Sequence, residues 1–136
     1  MADLSVTAAS VVAGANAVIE RGTSGATITA GQVVYLESAT TTYKLADSDN
    51  ATAEIRSPRG ISLHAASANQ PLAVQTGGSI TIGATATSGL AYYLSKTAGG
   101  IAPVADIASG GYATVLGIMT STTVMKLNIT ESLVAV

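Results

Sequence analysis

The chain has 136 residues and a mass of 13.4 kDa, enough for one domain with a real core. Hydrophobic residues make up 48% and charged residues only 10%, which excludes ordinary disorder (low hydrophobicity, high net charge) and a coiled coil (abundant Glu and Lys). With no cysteine a disulfide-stapled fold is excluded, and a net charge of -2 at a pI near 5.1 offers no basic footprint for nucleic acid.

Residues 1–20 are small and apolar without a clear period. Val11, Val12, Val18 and Ile19 flank Ala13-Gly14-Ala15-Asn16-Ala17. Two readings fit: an ordinary first strand with a frayed end, or an arm that orders only against a partner. The division adopted is an N-terminal arm over 1–20 and a single β domain over 21–136. Leu4–Ile19 is not expected to be a secretory leader, because the only charge before it is Asp3, where such a leader carries Lys or Arg. The charge-free stretch 65–95 is broken by Pro71, Gly77, Gly78, Gly83 and Gly89, so it is not read as an apolar membrane span.

Gly22 and Gly25 read as turn residues. Val33–Leu36 follows as a strand rich in β-branched residues, and Tyr43–Leu45 as a second. Asp47-Ser48-Asp49-Asn50 would cap one helical turn over Ala51–Ile55, which Pro58 and Gly60 would end. Gly60–His64 and Leu72–Gln75 alternate. Gly77-Gly78 reads as a hairpin turn into Ser79–Ile82. Leu90–Leu94 turns at Gly99-Gly100 into Ile101–Val104, and Tyr112–Met119 with Thr123–Ile129 forms the last pair. In that last strand Thr123, Met125, Leu127 and Ile129 share a core face, while Val124, Lys126 and Asn128 share a wetter one. Turn signals recurring every ~8–12 residues predict an all-β fold. The expected form is a small β-sandwich or β-barrel of short antiparallel strands, with an extended N-terminal arm and at most one or two short helical turns.

Chemistry is sparse. His64 is the single histidine; it lies two residues after Ser62 with no triad motif around the pair, and reads as structural or surface. The carboxylates are scattered, so no paired-acid site is expected. Asp47-Ser48-Asp49-Asn50 starts like a calcium loop, but Ala51 and Thr52 stand where an oxygen ligand and glycine belong. The doublets Gly77-Gly78, Gly99-Gly100 and Gly110-Gly111 lack phosphate-loop spacing and read as turns. Asn128-Ile129-Thr130 is a chance sequon inside a strand. Arg56-Ser57-Pro58-Arg59 is the one cationic cluster, either a solvated turn or a contact for an acidic partner. No catalytic, cofactor-binding or metal-binding residue is therefore assigned, and no cofactor is expected. A chain so poor in charge lacks the repulsion that keeps proteins apart, which favours a structural or interaction protein over an enzyme.

The run Gly60-Ile61-Ser62-Leu63, Ala68-Asn69-Gln70-Pro71-Leu72-Ala73-Val74-Gln75, Gly78-Ser79-Ile80-Thr81-Ile82-Gly83 continues through Gly89-Leu90-Ala91-Tyr92-Tyr93-Leu94-Ser95 and Gly99-Gly100-Ile101-Ala102-Pro103 to Val115-Leu116-Gly117-Ile118-Met119. Together with Ala30-Gly31-Gln32-Val33-Val34-Tyr35-Leu36 and Tyr43-Lys44-Leu45-Ala46 it resembles the small capsid decoration, or cement, proteins of tailed bacteriophages. The resemblance spans about residues 30–130 and carries no catalytic signature. It implies a β-barrel or sandwich on the outside of an icosahedral head, forming homotrimers, or dimers as the alternative. Its partner would be the major capsid protein, with no direct nucleic acid and no membrane. A phage tail, fibre or adhesin-type β domain has similar composition and is the alternative.

On this reading the capsid contact is expected on the arm, through Leu4, Val6, Val11, Val12, Val18 and Ile19, adding a strand to a capsid sheet. Tyr92, Tyr93 and Tyr112 are the expected subunit contacts, with a partly buried core edge as their other role.

Overall fold

A computed structural model describes residues 3–104 and 111–135. A 3-10 turn at Ala8–Ser10 precedes ten strands: β1 (Val11–Ala13), β2 (Val18–Ser24), β3 (Val33–Glu37), β4 (Thr42–Leu45), β5 (Gly60–Ser62), β6 (Pro71–Ile82), β7 (Ala91–Leu94), β8 (Ile101–Pro103), β9 (Tyr112–Met119) and β10 (Val124–Ala135). The fold is all-β, as the alternation and turn spacing predict.

Strands β2, β4, β3, β5 and the first half of β6 close into a ring. Five strands cannot alternate direction all the way round, so one neighbouring pair has to be parallel. It is β2 with β4, Thr23 opposite Thr42 and Ser24 opposite Tyr43. This corrects the expectation of antiparallel strands throughout. Ile28, Val34, Tyr43, Ala66, Leu72 and Val74 fill the ring. Gly22 is a strand residue rather than a turn: a Cβ there would stand 2.7 Å from Tyr43 Cε2, so its bare backbone makes room for the buried ring.

Alternation on β3 builds the second layer. Val34 and Leu36 face the inside of the ring; Val33 and Tyr35 face out and join a larger core. That core is closed by a second sheet in the order β1-β6-β10-β9-β7-β8. Ile80, Ile82, Leu94, Leu116, Met119 and Met125 are its buried contribution. On β10, Met125 and Leu127 are buried and Lys126 and Asn128 exposed, in agreement with the sequence pattern, while Thr123 lies before the strand and is exposed.

The Gly77-Gly78 doublet does not reverse the chain. It bends one continuous twelve-residue strand, β6, whose first half belongs to the ring and whose second half belongs to the other sheet. Gly78 has φ +82, and a side chain there would run into the Asn16 carbonyl. The register shift between Val18 and Ile19 opposite it marks a bulge. Gly99-Gly100 does make the expected hairpin, between β7 and β8.

The N-terminal segment is folded onto the body rather than extended as a separate arm. The Leu4 N–H donates to Ile101 O (2.9 Å) on edge strand β8, and the Thr7 N–H to Gly83 O (2.7 Å) just after β6. The Ser95 hydroxyl donates to the Asp3 carboxylate at 2.6 Å. Val6 packs over Gly31, whose φ is +86 and whose Cβ, if present, would stand 2.5 Å from Val6 Cγ1. β1 then pairs with β6 and β2 joins the ring. The physical reason is that, among the described residues, β1 and β8 are the two edges of the second sheet, and a strap running from one to the other satisfies backbone groups there.

Candidate interaction surface

The side chains that might have built a catalytic site are committed to the backbone. The Ser62 hydroxyl is buried, donates to Thr29 O (2.6 Å) and accepts from the Gln32 N–H (3.2 Å). His64 is exposed, and its Nε2 accepts from the Ala73 N–H at 3.0 Å. Its Nδ1, the remaining protonated nitrogen, then donates to Ala65 O at 2.9 Å. The two side chains are not joined, and His64 fastens the chain after β5 to β6. Among the described residues no group of three or more His, Asp or Glu is placed to hold a metal ion. No helix among them is long and apolar enough to cross a membrane.

The acidic loop after β4 is a turn. The Asp49 N–H donates to Asp47 Oδ1 (3.3 Å) and the Thr52 N–H to Asn50 Oδ1 (3.0 Å). The expected helical turn is a run of i to i+3 bonds over Thr52–Ser57. Burial, and then the neighbouring Asp49 side chain, push the Asp47 carboxyl up to about 6.

Both arginines of the cationic cluster have partners within the chain, although Arg59 stays exposed. Arg56 lies 3.8 Å from the Tyr112 ring centroid and donates to Asn50 O at 3.0 Å. Arg59 pairs with Glu20 at 2.8 Å, and Tyr43 donates its hydroxyl to the same carboxylate. Arg59 holds the Glu20 carboxyl below its ordinary range.

What remains as a candidate site is apolar surface. Of the six arm residues, Val11 is buried in the larger core and Leu4 and Val6 pack against it. They face inward because the strap lies on the body, so they are not free to pair with another chain in this conformation. Val12, Val18 and Ile19 are exposed by 57%, 58% and 40%. The register brings Val12 of β1 and Val124 of β10 to either side of Thr81, on the outward face of the second sheet.

The tyrosines separate by strand period. Tyr92 is buried in the larger core, with its oxygen accepting from the Thr87 N–H at 3.0 Å, which removes it from the expected subunit contacts. Tyr93 is half-buried and points the other way, opposite Val115. Tyr112 is half-buried beneath Arg56, beside a recess of about 200 Å³ reached by Ser57, Thr114 and Glu131. The sequence reading missed Ile118, 52% exposed on β9. Its alternation with Met119 is in the sequence, but its place opposite Lys126, on the wetter face, comes only from the register.

The chain matches no protein-family model, and no match was found among curated proteins.

Proposed function

We propose that this protein is a decoration (cement) protein of a tailed-bacteriophage capsid. It binds the outer surface of the expanded head and staples neighbouring major capsid subunits against the pressure of packaged DNA. One observation carries the reading: a charge-poor β body, its reactive side chains tied to its own backbone, displays Val12, Val18 and Ile19 to solvent. Exposed aliphatic side chains on adjacent segments favour a covering partner. The resemblance of residues 30–130 to such proteins names the kind of partner.

The mechanism is linkage. A site that exists only across neighbouring subunits of the expanded lattice stabilises that lattice by mass action. A contact of standard size covers about 800 Å² on each partner, and much of its gross gain is offset by lost freedom. Self-association into a trimer, with Tyr93 and Tyr112 at the subunit contacts and a dimer as the alternative, multiplies modest contacts through high effective concentration.

Point substitutions are needed, because removing the whole N-terminal segment would take away β1, the buried Val11 and the start of β2. The test is a Val12→Ser, Val18→Ser, Ile19→Ser variant added to undecorated heads from the source phage and imaged by electron microscopy. The unaltered protein is expected to occupy regular positions on the head, and the variant to leave them empty while keeping its circular dichroism spectrum. Equal occupancy by the variant rejects this contact. Copies of the unaltered protein found only on the tail would establish the fibre-type alternative instead.

A further inference from the structure

We propose that the outward face of the second sheet receives an acidic, aliphatic-flanked segment of a partner protein, with the partner's carboxylate bound by Lys126. The inference rests on the decoration reading, in which that segment belongs to the shell subunit.

Directly opposed residues in a sheet share a face. The register therefore lays Ser79, Lys126, Ile118 and Ala91 in one row across β6, β10, β9 and β7. A second row pairs Thr130 with Val115; Tyr93, at its β7 end, lies outside the groove and is left to the subunit contact. Between the rows the register shifts, with an extra residue on β10 between Leu127 and Thr130. Such a bulge opens the ladder and re-aims side chains. Here it leaves a groove of about 250 Å³ walled by Val115 and Ile118 on one strand and Lys126, Asn128 and Thr130 on the other. The groove thus joins an aliphatic wall to an ammonium, an amide and a hydroxyl, a set suited to a carboxylate carried between apolar side chains.

Charge chooses the occupant. Three of the six cations have internal partners: Lys44 pairs with Glu37, Arg59 with Glu20, and Arg56 covers Tyr112. Among the described residues Lys126 has no carboxylate within ion-pair distance, and no residue in these rows is acidic. An ammonium removed from water needs a counter-charge, so whatever covers this face has to bring one. A second copy docked by these same rows would bring no acid to Lys126, since the rows contain none. The face is also continuous with Val12, which shares it through Thr81 and Val124.

The experiment titrates purified protein onto undecorated expanded heads and measures bound copies by co-sedimentation, at low and high salt. It compares the unaltered chain with Lys126→Glu, Lys126→Arg and Lys96→Glu. Lys96→Glu changes net charge as Lys126→Glu does but lies in the loop after β7. Lys126→Glu is expected to weaken binding about tenfold or more and to abolish its salt dependence, while Lys126→Arg and Lys96→Glu stay within about twofold. If the unaltered protein binds and Lys126→Glu binds equally well, the Lys126 contact is overturned and the decoration reading stands. If the unaltered protein binds no heads, the decoration reading falls and this inference with it. Sedimentation showing a dimer that Ile118→Ser dissociates would make the occupant a second copy, which also overturns the proposal.

Discussion

Arg59 holds Glu20 in a forked grip, its Nε donating to both carboxylate oxygens at 3.0 and 3.1 Å and its Nη2 to Oε2 at 2.8 Å. The pair ties β2 to the residue that precedes β5, across the end of the ring where the Tyr43 hydroxyl also reaches Glu20. The arginine lowers the pKa of Glu20 from its ordinary 4.5. The folded state therefore binds the proton less readily than the unfolded chain. The stability this contributes is present above the ordinary carboxylate range and is lost as pH falls through the lowered value. Arg59→Ala is expected to cost about 0.5–1 kcal/mol at pH 7, the range for a partly exposed pair, and almost nothing once Glu20 is protonated. Urea unfolding at a series of pH values checks both limbs.

Asp47 has the opposite sign. Its carboxyl is raised from 3.8 to about 6 by burial and by Asp49. Between those values the folded chain holds a proton that the unfolded chain has released, so stability falls as pH rises through that window. Asp47→Asn keeps an Oδ1 acceptor for the Asp49 N–H and carries no charge. It is expected to stabilise the protein above pH 6 by on the order of 1 kcal/mol, after allowance for solvent screening. Near pH 3.5 the gain is expected to vanish, and thermal melts at the two pH values check the difference.

The strap over the second sheet depends on Gly31. An alanine there would have to adopt φ +86 and would push its methyl to within 2.5 Å of Val6 Cγ1. Gly31→Ala is expected to lift the strap and to destabilise the protein by about 1 kcal/mol or more. Hydrogen exchange checks it: the Leu4 and Thr7 amides should lose protection severalfold, while the Val74 amide inside the ring pairing keeps its own.

Much of the strand map was legible, because β-branched alternation and turn residues act locally. Tyr112–Met119 is a strand with the expected bounds, and the inward set of β10 follows from period 2. Tyr92 and Tyr93 show the same rule left unused, since adjacent strand residues must face opposite ways. Gly77-Gly78 was misread because a hairpin and a bent continuous strand ask the same thing of a residue, a positive φ and no Cβ. Ring closure was hidden too: the pairing of Thr23 with Thr42 joins segments far apart in sequence, and nothing local encodes it. The strap showed no period because it docks through separate hydrogen bonds and the seating of Val6, not through a ladder. Of the candidate surface, the apolar character of Val12, Val18 and Ile19 is legible in the sequence, and their exposure is read from the structure. The row through Ile118 needed the register of β9 against β10.

Because β6 is a wall of both layers, a tug on the segment leading into β1 is handed straight to a twelve-residue girder shared by the two. It would have to shear β6 away from β10, and from β2 and β5, which flank its first half on either side, before either layer yields. If the proposed role holds, such load sharing suits a clasp on a strained shell; in either case the two halves should rupture together, in a single force peak.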